Sequence, residues 1–327
     1  MPGGIRTAAF ILTFTGALAA GSIIIPLLRR YNIGQTVRDD GPASHLKKSG
    51  VPTIGGIIFL LPAVIVLSIC AARDHRILPQ LLVIAGFGLV GLVDDMLKVR
   101  RKNKDGLTPL QKTAGILACA LLFSVYAAFN ENVGTNIYLP LTGFAGELAV
   151  PVWFYIPFTV FVMYAAANAV NFTDGVDGLA SSVTMLVMAS FVLTAAVSVK
   201  NDGAEALAAV FAGGCLGFLF FNAYPAKVIM GDCGSLALGG AVSAAAIVMR
   251  IPWILLLFGV IYVAEGLSVV IQVSHFKRTR RRVFKMAPIH HHFELSGWSE
   301  HRIVISFCIA TVVFCCIGFW LLFWKLF

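Results

Sequence analysis

The 327-residue sequence predicts an all-α, polytopic membrane protein with about ten transmembrane helices. Three observations predict it: 58% of the residues are hydrophobic, only 13% are charged, and charge-free runs of membrane-spanning length recur along the chain. A mean hydropathy of +0.87 agrees with this. The same arithmetic excludes disordered, collagen-like and disulfide-scaffold classes. Six of the seven cysteines (Cys70, Cys119, Cys215, Cys308, Cys315 and Cys316) lie inside apolar runs and read as small buried hydrophobes.

A helix needs about 20 apolar residues to cross a hydrocarbon layer of ~30 Å. Runs near that length occupy approximately 7–28, 51–72, 77–93, 113–130, 148–170, 178–199, 206–224, 233–249, 251–274 and 303–324. The first has only Arg6 before it and no small-residue cleavage pattern, so a retained helix is expected. The ninth contains Glu265. A carboxylate facing lipid costs about 2.5–3.5 kcal/mol, so this helix is expected to bend, break or face protein there. No internal repeat or low-complexity segment is visible, and residues 1–327 read as one helical domain.

Basic residues assign the sides. The net charge of +9 does not indicate nucleic acid, because the cations sit in short loops between apolar runs. Loops one, three and nine carry Arg29, Arg30, Arg38, Lys47 and Lys48, then Lys98 to Lys104, then Lys277 to Lys285. With Lys112, Lys227 and Arg302, one side holds 19 of the 25 basic residues. The positive-inside rule makes the odd loops cytoplasmic and both termini extracytoplasmic. The even loops are short apart from 130–147, which leaves no room for a sizeable outer domain.

Every dense polar cluster falls on the odd-loop side, which points to one cytoplasm-facing site. Asp94 and Asp95 end the third run, where paired carboxylates oppose the helix dipole and are either neutralised by Lys98 and Arg100 or handle a metal or phosphate. In Asn168-Ala-Val-Asn171-Phe-Thr-Asp174-Gly-Val-Asp177-Gly the spacing of three aligns Asn168, Asn171 and Asp174 along one face, and Gly175 permits close backbone approach. An EF-hand is the rival, but its loop pattern is not present. Asp232, between Gly231 and Gly234-Ser235, stands beside a helix N-terminus suited to anions, and such an aspartate suits magnesium. His290, His291 and His292 follow a basic run. Their spacing is wrong for a helical zinc site and suits pyrophosphate and sugar contacts, while the basic run itself also fits an anionic lipid surface. Loop one, Arg38 to Gly56, is either a polar elbow or a phosphate clamp.

In this order the constellations resemble the polyprenyl-phosphate N-acetylhexosamine-1-phosphate transferases. The phrases Asp40-Gly-Pro, Pro52-Thr-Ile-Gly-Gly and Pro288-Ile-His-His-His-Phe-Glu are similar to the branch that handles UDP-MurNAc-pentapeptide. The resemblance covers essentially the whole chain. It implies a magnesium-dependent transferase of the bacterial cytoplasmic membrane, active as a homodimer. The implied reaction passes phospho-MurNAc-pentapeptide from UDP-MurNAc-pentapeptide to undecaprenyl phosphate and releases UMP.

Residue by residue, the resemblance makes Asp232 the magnesium ligand, with Asn171 a second candidate, and Asp94 and Asp95 an essential pair. It places Asn171, Asp174 and Asp177 in a nucleotide-binding and catalytic loop, flanked by Asn168 and Gly175. His290, His291 and His292 match essential histidines; Asn222, Lys47, Thr53 and Lys112 match polar pocket positions. Ile229 departs from the pattern, which often has an aromatic there for stacking on uracil. An N-acetylglucosamine-1-phosphate transferase and a secondary transporter are the alternatives, although transporter sites usually lie at the bilayer midplane in repeated halves.

Overall fold

The computed structural model describes residues 3–31, 33–34, 50–101, 105–142, 144–199 and 202–324. Each of the ten apolar runs contains a helix: α1 (Gly3–Arg30), α2 (Ile57–Arg73), α3 (Leu78–Arg101), α4 (Pro109–Phe129), α5 (Val152–Thr173), α6 (Leu179–Thr194), α7 (Asp202–Asn222), α8 (Gly231–Val248), the pair α9 (Leu255–Phe258) and α10 (Val260–Thr279), and α12 (Glu300–Phe323). A short helix α11 (Ile289–Glu294) lies between the last two runs. Eight of the described helical segments are long and apolar enough to cross a membrane, and the bent pair is a ninth. The shorter apolar α2 is the remaining one. The protein is a multi-pass membrane protein.

Three boundaries differ from expectation, each with consequences for the site. α2 starts at Ile57 because Pro52–Gly56 runs extended and pairs with another main chain: Ile229 N–H donates to Pro52 O, Gly55 N–H to Ile229 O and Gly56 N–H to Met230 O, each at 2.8 Å. α3 does not end at Asp94-Asp95 but continues to Arg101, about two turns further, so both carboxylates lie inside a helix rather than at its terminus. The ninth run breaks at Gly259 rather than Glu265, with an 87° bend between its halves. Glycine tolerates the break, while Glu265 remains helical in α10 and fully buried.

The helix α8 occupies the centre. Every residue from Cys233 to Val248 is buried, and its composition of Gly, Ala and Ser lets neighbouring helices approach closely. α3 and α5 pack along it, α1 packs on α7, and α10 lies against α5. This arrangement sets the first turn of α8, with Asp232, between the ends of α3 and α5.

At the opposite end of the bundle a small hairpin pairs β1 (Asn136–Tyr138) with β2 (Glu147–Ala149). Tyr138 N–H donates to Arg250 O at 2.9 Å and Trp253 Nε1 donates to Tyr138 O at 2.7 Å, which fixes the hairpin to the end of α8. Near the same end, hydrogen bonds from Arg76 hold the Asp74 carboxyl below the usual carboxylate range and open the short turn before α3.

Candidate active site

Asp94, Asp95 and Asp232 converge, with carboxylate oxygens within 4.8 Å of one another. Lys98 bridges them: its Nζ lies 2.6 Å from Asp94 Oδ2, 2.7 Å from Asp232 Oδ2 and 3.9 Å from Asp95 Oδ1. The four-residue step from Asp94 to Lys98 puts both on one face of α3, and this works only because the helix continues past the carboxylates. Lys112 reaches Asp232 Oδ2 at 2.9 Å from the first turn of α4. That turn is set by a capping box, in which Thr108 and Gln111 each bond the other's backbone N–H, followed by Pro109 at the first helical position. Three carboxylates therefore face two ammonium groups, in surroundings where water screens them weakly.

The remaining oxygens are also engaged. Asp94 Oδ1 accepts Leu107 N–H at 2.7 Å, and Asn171 Nδ2 donates to Asp232 Oδ1 at 2.6 Å and to Ser235 Oγ at 2.8 Å. Asp95 Oδ2 accepts Cys233 N–H at 2.9 Å. The N-terminus expected to receive a substrate phosphate thus already holds an anion from α3 at Cys233 N–H.

The segment between α5 and α6 forms the second half. Asn171 joins the acidic cluster, whereas Asn168, one turn earlier, turns back to its own helix and donates to Tyr164 O at 2.8 Å. Asp174 caps the end of α5 at the same rim. Asp177 Oδ2 accepts Ala226 N–H at 2.9 Å, and its own N–H donates to Glu300 Oε2 at 3.2 Å. Gly175 lies so close to His290 that a Cβ there would overlap the imidazole. The loop thereby connects the acidic cluster with the histidine segment.

The three histidines take three different partners. His290 is buried with its Nδ1 3.0 Å from Glu265 Oε1, and His291 Nδ1 lies 2.7 Å from Glu294 Oε2. His292 Nδ1 accepts Lys285 N–H at 3.2 Å. Thr53 belongs to the extended segment that braces Ile229 and Met230, and its N–H donates to Ile33 O at 3.1 Å. Lys47 lies outside the described residues.

Asn222 is engaged at both ends of its amide: Oδ1 accepts from Ser181 Oγ at 2.8 Å and Nδ2 donates to Val228 O at 3.1 Å. Asn222→Ala leaves a buried hydroxyl and a buried carbonyl unpaired. The expected loss is about 1–3 kcal/mol of stability, read as a lower thermal midpoint in detergent.

Lys98, Glu265 and Glu300 are the contributors that composition and spacing did not single out as site residues. Lys98 carried a local signal in its four-residue step from Asp94, and Glu265 in its place within an apolar run.

The profile of Glycosyl transferase family 4 matches residues 77–250, which span Asp94, the Asn171 loop and Asp232. The phospho-N-acetylmuramoyl-pentapeptide-transferase of Acetivibrio thermocellus is 51% identical over 313 residues, covering 96% of this chain and 94% of the relative. The proteins of that name from Clostridium kluyveri and Thermoanaerobacter sp. are 46% and 47% identical, covering 94% and 93% of this chain and 96% and 95% of their own lengths. A chain so similar throughout belongs to the phospho-N-acetylmuramoyl-pentapeptide-transferases, within Glycosyl transferase family 4.

Proposed function

We propose that the chain moves phospho-MurNAc-pentapeptide from UDP-MurNAc-pentapeptide to undecaprenyl phosphate at the cytoplasmic face of the bacterial inner membrane, giving lipid I and UMP. One observation carries the reading: polar groups from the end of α3, the start of α4, the end of α5 and the start of α8 meet at one rim, and the histidine segment joins them through Gly175. The surplus of basic residues on the loops at that rim supports its cytoplasmic placement.

The donor set fits a hard divalent cation. Asp94, Asp95 and Asp232 offer only oxygen, which is the chemistry magnesium selects, while Asn171 turns its Nδ2 to Asp232 and holds that carboxylate rather than adding a ligand. When bound, magnesium supplies neutralisation of the diphosphate charge. The chain's own groups do the rest. Lys98 and Lys112 hold Asp232 and add positive charge where two phosphorylated substrates must approach. Asp94 orients the lipid phosphate, whose oxygen attacks the β-phosphorus of the UDP-sugar; the bond to the α-phosphate oxygen breaks and UMP leaves.

A single displacement is favoured over an aspartyl-phosphate route because the oxygens of Asp94 and Asp232 already accept strong hydrogen bonds, which lowers their nucleophilicity. Purified protein with magnesium and a polyprenyl phosphate is expected to release UMP from UDP-MurNAc-pentapeptide and not from UDP-N-acetylglucosamine. The nucleotide substrate alone is expected to give no stoichiometric burst of UMP. Turnover of UDP-N-acetylglucosamine refutes the substrate assignment, and a burst refutes the single displacement.

A further inference from the structure

Outside the acidic cluster, Glu265 and His290 are the most deeply buried acidic and imidazole side chains among the described residues, at 0% and 1% exposure. Glu265 stands within apolar α10, where an uncompensated carboxylate is costly. His290 follows Pro288 in the first turn of α11. Glu265 Oε1 lies 3.0 Å from His290 Nδ1, and the backbone N–H of His290 approaches Oε2 at 3.5 Å.

A carboxylate only accepts, so Nδ1 carries the hydrogen whether the ring is neutral or charged. The other nitrogen, Nε2, is buried with no hydrogen-bond partner among the described residues. It faces Gly175, where the lack of a side chain admits the ring. The most protected carboxylate among the described residues therefore fixes the direction of an imidazole edge that points into the 171–177 loop and has its bonding capacity unspent.

We propose that Glu265 is a positioning residue for the transfer reaction, holding His290 as the Nδ1-protonated tautomer with Nε2 presented to the Asp174-Gly175 segment. This rests on the transferase reading of the site. Glu265 touches no substrate and acts through His290, as carboxylates behind functional histidines do.

The test is a double-mutant cycle in the purified full-length protein, with UMP release as the readout and unchanged elution in detergent as the folding control. Glu265→Ala is expected to lower kcat by about 30-fold, within the range for such supporting groups, with KM for the nucleotide substrate changed less than about twofold. Glu265→Gln keeps an acceptor for Nδ1–H and is expected to recover most of that loss. In a His290→Gln background, Glu265→Ala is expected to add less than about a twofold loss, because the interaction it serves is already gone. If Glu265→Ala does not fold, Glu265→Leu, which fills the volume but offers Nδ1–H no acceptor, takes its place in the cycle with the same expected non-additivity. Equal losses of kcat with and without His290, a change confined to KM, or full activity of Glu265→Ala overturns the proposal. An inactive parent protein instead refutes the transferase reading.

Discussion

Asp232→Asn is expected to lower UMP release by about 10³-fold or more, with no recovery as magnesium is raised. Asp232 is the hub of the cluster: one oxygen accepts Asn171 Nδ2, and the other is shared by Lys98 and Lys112. The amide is nearly isosteric, so the fold has little reason to change, but the charge is lost. One terminal atom now donates where it must accept. Either Asn171 or the lysine pair faces an N–H group, and two ammonium groups share a weakly screened site with fewer anions. Removing a single preorganised electrostatic contact typically costs 10²–10³-fold, and this substitution disturbs three contacts at once. Steady-state UMP release across a magnesium series checks it. Recovery at high magnesium makes Asp232 merely an affinity determinant, and activity near the parent level removes it from the site.

The spans were legible because apolar length is a local property of composition and marks each helix. Asp94, Asp95, Asn171 and Asp232 were legible as candidates because carboxylates and amides next to long apolar runs stand out in composition, although Asp94 and Asp95 lie within α3 rather than at its end. What stayed hidden depends on contacts between distant segments. Lys98 reads from spacing as a neutralising partner of Asp94, yet it also reaches Asp232, 134 positions away. The first turn of α8 reads as a phosphate site, but Asp95 takes its Cys233 N–H from 138 positions away. Glu265 reads as a residue at which the helix bends, breaks or faces protein. It faces protein, fully buried and paired with His290, and the break falls at Gly259. Asn222 and Asp177 read as pocket positions, and the structure finds them bonded to the segment that leads into α8. No periodicity encodes such bonds.

The same dependence on helix approach makes Gly91→Ala the most informative packing change. Gly91 precedes Asp94 by three positions and Asp95 by four, on the face of α3 that meets α8, and a Cβ there would overlap the carbonyl group of Asp232. The obstacle is backbone rather than a movable side-chain tip, so the two helices must separate. Such overpacking typically costs about 1–3 kcal/mol, against the roughly 1 kcal/mol that alanine gains over glycine in a helix. The larger effect falls on chemistry. Lys98 bridges Asp94 and Asp232 at 2.6 and 2.7 Å, and a shift of about 1 Å between α3 and α8 breaks that bridge. A misplacement of that size costs about 10²-fold in rate. Gly88→Ala is the matched control: it lies one turn earlier on α3, and a Cβ there meets Leu60 Cδ1 at 3.4 Å and Ala237 Cβ at 3.5 Å, which is ordinary contact. Gly88→Ala is expected to keep parent activity while Gly91→Ala loses about 10²-fold, both measured by UMP release alongside thermal unfolding in detergent. Equal activity in the two variants means that the approach of α3 to Asp232 does not set the geometry of the carboxylates, and the account of the site built on that approach fails.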